Sequence, residues 1–351
     1  MGFKRMFDAV EVHEGEPMRV IISGVPHIPG NTLAEQEAYL QEHDKQILGL
    51  MLKEPRAMPA SVVSMLVPPK HPDAQAATLF ACGDEWTLHS GATVMATATA
   101  LLETGLIPMQ EPVTEFNLEI PAGLVPIRAE CKNGKVTSCT FTSLPTFVGG
   151  LDQEVHVPGM GRVLIDVAWG GQGFFAVIDA TQFEGLVLDS AHAKDIRRIS
   201  AAVTQAAREQ LHPVHPDYPE LGVCVSIMHQ PPISPGTDIR TANVYGATGV
   251  DLNNPDTWST GGLDRGVCGT GSCALLAVLH ARGKLDVGQT IINEGPLGIR
   301  FSERIVGKTK VGDYDAVIPE LTGQLWIYGY TKWVLDETDP FPNGFEIGDI
   351  W

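Results

Sequence analysis

Two sixteen-residue stretches, SGATVMATATALLETG at 90–105 and CGTGSCALLAVLHARG at 268–283, align without a gap. They share the second glycine, an alanine, a leucine and the closing glycine. Each is followed by a short connector and then a strand-like run with a Pro-x-Gly, FNLEIPAGL in one case and IINEGPLGIRF in the other. A second gapless pair precedes them: Val12-His13 stands six residues ahead of Arg19, and Val155-His156 six ahead of Arg162, both in turn-bounded, β-branched runs that read as hairpins. Order is preserved in both halves, so the chain is constrained to fold as two copies of one α/β unit. With 351 residues, each copy can bury a core of its own.

The sixteen-residue blocks read as helices entered through a glycine-containing turn and ended by Gly105 and Gly283, where only glycine enters the left-handed region cheaply. Residues 92–102 carry no charge on any face and 273–279 are almost as apolar, so both helices should be buried all round, inside a curved, mostly antiparallel sheet. The second copy is longer between hairpin and helix, 106 residues from Arg162 to Cys268 against 71 from Arg19 to Ser90. Much of the excess is the polar stretch GATGVDLNNPDTWSTGG (246–262), a loop by composition and a candidate lid.

The amino end of a helix leaves N–H groups unpaired and favours an anion. A cysteine there is expected to have its thiol pKa lowered, which makes Cys268 a usable base. If the two copies face each other, Ser90 and Cys268 reach one small molecule from opposite sides, while Gly91-Ala92 and Gly269-Thr270 offer N–H groups to its carboxylate. That set suits proton chemistry at a carbon next to a carboxylate. Other readings fit less well. A dinucleotide fingerprint needs an apolar strand before the glycines, and TWSTGGLDRGV is not one. No Gly-Lys-Ser/Thr supports a phosphate loop. His89 adjoins Ser90 without an evident acidic orienter, so local packing or a solvent contact is expected of it; His212, His215 and His229 could bind metal, but HPVHPDYPE is loop-like and lacks thiolates, so metal binding is not expected.

A formal net charge of −18 with scattered Lys and Arg disfavours nucleic acid and anionic membranes as partners. No apolar run suits a signal peptide or a membrane span, and the protein is expected in the cytosol. Six cysteines without a CxxC motif read as mostly buried free thiols.

On HEGEPMRVIISGVPHIPGNTLAEQEAYL, VHVPGMGRVLIDVAWGG, LDRGVCGTGSCALLAVLHARGKL and VIPELTGQLWIYGYTKWVLDETDPFPNGF, the chain is identified as a member of the proline racemase superfamily. The DRxxCGTG motif is the most specific of these features. The resemblance implies an α/β (α+β) fold of the diaminopimelate epimerase type, two pseudo-symmetric domains with the active site between them. Residues 1–150 plus 335–351 would carry Ser90, and 151–334 would carry Cys268. Racemases and epimerases of this superfamily hold a cysteine in each half; here Ser90 takes the first position and Cys268 keeps the second. Asp264 matches the acidic contact to the substrate's ring nitrogen, and Gly91-Ala92 and Gly269-Thr270 match the carboxylate-binding pairs, with Ala92 where many relatives have histidine. A hydroxyl is a far weaker acid than a thiol of pKa ~8.5, and so a poorer second acid/base. Members with Ser or Thr first and Cys second typically resemble trans-3-hydroxy-L-proline dehydratases. The expected activity is therefore a lyase of amino-acid catabolism, forming Δ1-pyrroline-2-carboxylate by syn loss of the 3-hydroxyl. The alternatives are 4-hydroxyproline 2-epimerase or proline racemase, then a non-catalytic imino-acid-binding protein. No cofactor or metal and no partner beyond the imino acid are implied, with a homodimer left open.

Overall fold

The computed structural model describes residues 3–58, 60–83 and 85–347. The chain divides into two compact units, Met1–Phe141 with Gly323–Trp351, and Thr142–Thr322.

In the first unit, β1 (Phe3–His13) and β2 (Pro17–Ser23) form an antiparallel hairpin. Helices α1 (Leu33–His43) and α2 (Gln46–Leu52) then lead to β3 (Val62–Val67), which lies parallel to β2. Thr32 starts α1 by accepting the Glu35 N–H at 3.1 Å. β4 (Ala76–Cys82) runs antiparallel to β3 and carries β5 (Glu85–Thr87). Helix α3 (Gly91–Glu103) follows, then β6 (Val113–Ile120), parallel to β4, and the antiparallel β7 (Gly123–Lys132) and β8 (Lys135–Thr142). Every residue of α3 from Gly91 to Leu102 is buried, and its small Ala and Thr side chains let β1, β2 and β3 pack closely on it. On the opposite side, Leu40, Ile47 and Leu50 of α1 and α2 pack into a core with Ile21, Met65 and Leu79.

The second unit begins with β9 (Thr146–Val157), β10 (Gly161–Trp169) and β11 (Phe174–Asp179). Helix α4 (Ala193–Gln210) crosses over to β12 (Val223–Gln230), parallel to β11. β13 (Ile239–Tyr245) pairs antiparallel with β12 and carries β14 (Gly262–Leu263). Helix α5 (Gly269–Ala281) precedes β15 (Thr290–Glu294), parallel to β13, and then β16 (Arg300–Val311) and β17 (Tyr314–Gly323). β17 returns to β9 through Ala316↔Phe147 and Val317↔Thr146, so the sheet closes on itself. Strands β9 to β12 and β16 pack on α5. The final strand, β18 (Trp326–Asp336), goes back to the first unit and pairs antiparallel with β1.

The two strand orders match, β18-β1-β2-β3-β4-β6-β7-β8 against β9-β10-β11-β12-β13-β15-β16-β17, with parallel pairs at the same two places. Helices α3 and α5 are equivalent, as the sixteen-residue alignment expects. The hairpin alignment needs correction: VHEGEPMRVIISG is β1–β2, whereas VHVPGMGRVLIDV is β9–β10, one strand earlier in the unit. A twisted antiparallel hairpin has one local pattern wherever it sits, and the first unit takes the counterpart of β9 from the far end of the chain.

The unit limits also differ from 150/151 and 334/335. β9 runs unbroken through the first of these positions, and β18 belongs to β1 over its whole length. Nor is 246–262 a free flap. Trp258 is 2% exposed, its Nε1–H donates to the Asp251 carbonyl, and Arg197 of α4 donates to the carbonyls of Gly261 and Ser259 at 2.9 and 3.2 Å. Among the described residues no helix is long and apolar enough to cross a membrane.

Candidate active site

Cys268 is the N-cap of α5, with extended backbone (φ −64°, ψ 112°), and its sulfur accepts the Gly271 N–H at 3.3 Å. Thr270 Oγ1 lies 3.7 Å from the same sulfur. Gly271 is required by this approach, because a Cβ there would sit 2.8 Å from Ile227 Cδ1 and 3.1 Å from the sulfur. Two more glycines hold the turn from outside. A Cβ on Gly170 would meet the Thr270 carbonyl at 2.5 Å, and one on Gly295 would meet the Gly266 carbonyl at 2.0 Å. Gly269 and Thr270 are buried in the first turn, their N–H groups at the positive end of the helix dipole.

The expectation of a depressed thiol pKa is corrected by the surroundings of the sulfur. Part of Cys268 is accessible, yet the protein packed around it and the nearby Asp264 carboxylate push its pKa well up, and the Gly271 N–H and Thr270 hydroxyl offset only part of this. Asp264 is itself buried. Its N–H donates to the Asn243 carbonyl at 2.9 Å, its Oδ1 accepts the Gly266 N–H at 2.9 Å, and burial raises its pKa to about 6. The carboxyl is close enough to the Cys268 thiol for their negative charges to repel. An ammonium group seated there would stabilise both anions.

Behind α5 a buried polar set steadies the helix. Asn293 Nδ2 donates to Ser272 Oγ at 3.1 Å and to Glu303 Oε1 at 3.0 Å, and Thr241 Oγ1 donates to Asn293 Oδ1 at 2.9 Å. Burial raises the Glu303 pKa to about 7.

In the first unit Ser90 is the N-cap of α3, again extended (φ −145°, ψ 105°) and partly accessible, but its side chain caps no backbone N–H. Instead Ser90 Oγ lies 2.6 Å from Thr93 Oγ1. Gly91 and Ala92 are buried in the first turn, as Gly269 and Thr270 are in α5. His89 is fully buried against Phe141, neither ring nitrogen has a hydrogen-bond partner among the described residues, and burial lowers its pKa to about 4. It is a neutral packing residue and no base for Ser90. His215 is likewise held among Phe147, Trp169 and Tyr218, with Nδ1 accepting the Asp217 N–H at 3.0 Å. Among the described residues no three His, Cys, Asp or Glu side chains are grouped as metal ligands.

Each unit thus places one hydroxyl or thiol side chain at the amino end of a largely buried thirteen-residue helix. A family model described as proline racemase matches residues 9–346. The chain belongs to the proline racemase family. Among this family's proteins, a 4-hydroxyproline 2-epimerase of Streptosporangium roseum is 39% identical over 347 residues, 98% of this chain and 99% of that protein. One from Rhizobium etli is 36% identical over 354 residues, covering 100% and 98%. The crystal structure of a hydroxyproline epimerase from Agrobacterium vitis with bound trans-4-hydroxy-L-proline superposes with a TM-score of 0.91 at 35% identity, over 100% of this chain and 97% of that one. At 11% identity and TM-score 0.55, a PhzF-family protein of Bacillus anthracis shares the fold alone.

The Streptosporangium, Rhizobium and Agrobacterium proteins are all named epimerases, which are isomerases, and this favours the alternative kept beside the expected lyase over the lyase itself. The Ser/Cys pairing that suggested dehydration is a statement about two side chains; the likeness to epimerases extends over the whole chain. Sequence reasoning missed Asn243, Gly170 and Gly295, which are distant in the chain. It also missed Thr93, although three residues after a helix N-cap is where a side chain can return to it.

Proposed function

We propose that this member of the proline racemase family is a 4-hydroxyproline 2-epimerase, inverting Cα of trans-4-hydroxy-L-proline by proton removal on one face and delivery on the other. The observation that carries the reading is the equivalent placement of Ser90 and Cys268, each partly accessible, each at the start of a buried helix. Full-length similarity to named epimerases supports it.

In this reading Asp264 holds the ring ammonium of the imino acid. Its positive charge lowers the thiol pKa that Asp264 and burial otherwise raise, so thiolate forms in the complex. Cys268 then takes the α-proton. The electron pair released from the Cα–H bond is delocalised into the carboxylate, which the N–H groups of Gly269 and Thr270, with those of Gly91 and Ala92, stabilise as its charge grows. Ser90 supplies a proton to the other face. General acid/base partners of this kind contribute about 10²–10⁴ each, so Cys268→Ala and Ser90→Ala should each lose at least that much of the inversion rate.

The Ser90 hydroxyl favours one second reading, dehydration of trans-3-hydroxy-L-proline, in which the leaving hydroxyl and the α-hydrogen share a ring face and one good base is enough. Incubation of the protein with each substrate separates the two. Formation of cis-4-hydroxy-D-proline from trans-4-hydroxy-L-proline, seen by chiral chromatography, supports the epimerase. Imine from trans-3-hydroxy-L-proline, seen with a coupled reductase and without inversion of the 4-hydroxy compound, refutes it.

A further inference from the structure

We propose that Thr93 is a positioning residue for proton chemistry at Ser90, supplying the hydrogen bond that lets an alcohol serve as acid/base. The proposal rests on the epimerase reading, in which Ser90 exchanges a proton with Cα.

The two helix starts are built differently. Cys268 spends its sulfur on capping the Gly271 N–H, whereas Ser90 makes no cap and lies 2.6 Å from Thr93 Oγ1. Thr93 is 1% exposed and stands one turn into α3, on the same face as its N-cap. Its backbone is held in turn. The Thr93 carbonyl accepts Thr97 Oγ1 at 2.7 Å, Thr97 Oγ1 lies 2.6 Å from Ser64 Oγ on β3, and Ser64 Oγ lies 2.7 Å from Thr78 Oγ1 on β4. A run of hydroxyls therefore ties the first turn of α3 to the sheet and fixes the Thr93 side chain against Ser90.

The chemistry gives this contact a use. When the Ser90 O–H bond breaks and its proton joins Cα, the electron pair stays on Ser90 Oγ as an alkoxide, while Cys268 holds the proton taken from the opposite face. Thr93 O–H then donates to the alkoxide. A hydrogen bond to an ionised oxygen is shorter and roughly twice as strong as a neutral one, with O···O of about 2.5–2.7 Å. Proton exchange with water restores the hydroxyl and the thiolate. A thiolate at position 90 would need no such donor, because sulfur carries the charge at a far lower pKa.

The test is a cycle of Thr93→Val and Thr93→Ser in the natural and the Ser90→Cys backgrounds. It measures kcat and KM for epimerisation of trans-4-hydroxy-L-proline, with circular dichroism melts to confirm folding. With Ser90 present, Thr93→Val should lower kcat about ten- to hundredfold at nearly constant KM, and Thr93→Ser should restore most of it. With Cys at position 90, Thr93→Val should change kcat less than about twofold, since the donor no longer matters. Equal losses in both backgrounds indicate a packing role and overturn the proposal, as does an unaltered kcat in Thr93→Val. If Ser90→Cys does not fold, equal losses in Thr93→Val and Thr93→Ser overturn it. Absence of inversion by the natural protein removes the epimerase reading, and the proposal with it, before any variant is compared.

Discussion

The sulfur of Cys268 accepts the Gly271 N–H at 3.3 Å, so the side chain proposed to take the α-proton also closes the first turn of its own helix. A methyl on Gly271 would press on that sulfur from 3.1 Å and on Ile227 Cδ1 from 2.8 Å. Gly271→Ala gains up to about 1 kcal/mol of helix propensity and loses about 1–3 kcal/mol by overpacking. Thermal unfolding should therefore move by only a few degrees, while displacement of the sulfur lowers kcat at least about tenfold. Ile227→Val in the same chain should recover part of the activity. A drop in stability that accounts for all lost activity would contradict this.

Asp264 and burial both hold the Cys268 proton on, so the acidic limb of kcat/KM in the free enzyme should lie on the alkaline side of an ordinary thiol. Asp264→Asn removes the negative charge without changing shape. The thiol pKa falls and the limb moves to lower pH, while the lost ammonium contact raises KM about tenfold or more. A pH–rate profile of the variant with an unmoved limb would show that Asp264 does not act on the thiol.

His89 is buried as a neutral ring, its pKa lowered to about 4 by burial, whereas it titrates near 6.5 when unfolded. A depressed pKa means that stability present above pH 6.5 is lost as the pH falls toward 4. Between pH 7 and pH 5 this one group should cost about 2 kcal/mol. Urea unfolding of the natural protein and of His89→Leu at the two pH values isolates the effect, because Asp264 and Glu303 act equally in both. The variant should lose less stability on acidification by that amount; parallel losses would contradict a neutral buried imidazole.

The two helices were legible because burial all round, glycine at each end and a thiol or hydroxyl at each start are local properties of sixteen residues. Gly105 and Gly283 do adopt positive φ, 76° and 67°. Strand register was less legible: Val155-His156 and Val12-His13 carry the same pattern, yet the counterpart of β9 is β18, at the far end of the chain. The pKa of Cys268 was misjudged for a similar reason. The helix terminus that lowers it is visible in CGTG, but the burial that outweighs it comes from surrounding protein, with Ile227 against the Gly271 turn and Gly170 and Gly295 packed on the same loop. The 246–262 loop reads as polar, and only the fold shows Trp258 sunk beside α4 with Arg197 tying down its far end.

Exchange and inversion followed together in D2O test most directly whether Cys268 and Ser90 work on opposite faces of one carbon. Loss of the α-proton is read by NMR and configuration by chiral chromatography, starting separately from trans-4-hydroxy-L-proline and cis-4-hydroxy-D-proline. Ser90→Ala should keep α-proton exchange for one isomer and Cys268→Ala for neither or only the other, with inversion abolished in both. Inversion that persists in either variant, or exchange of both isomers by one residue alone, would contradict the account.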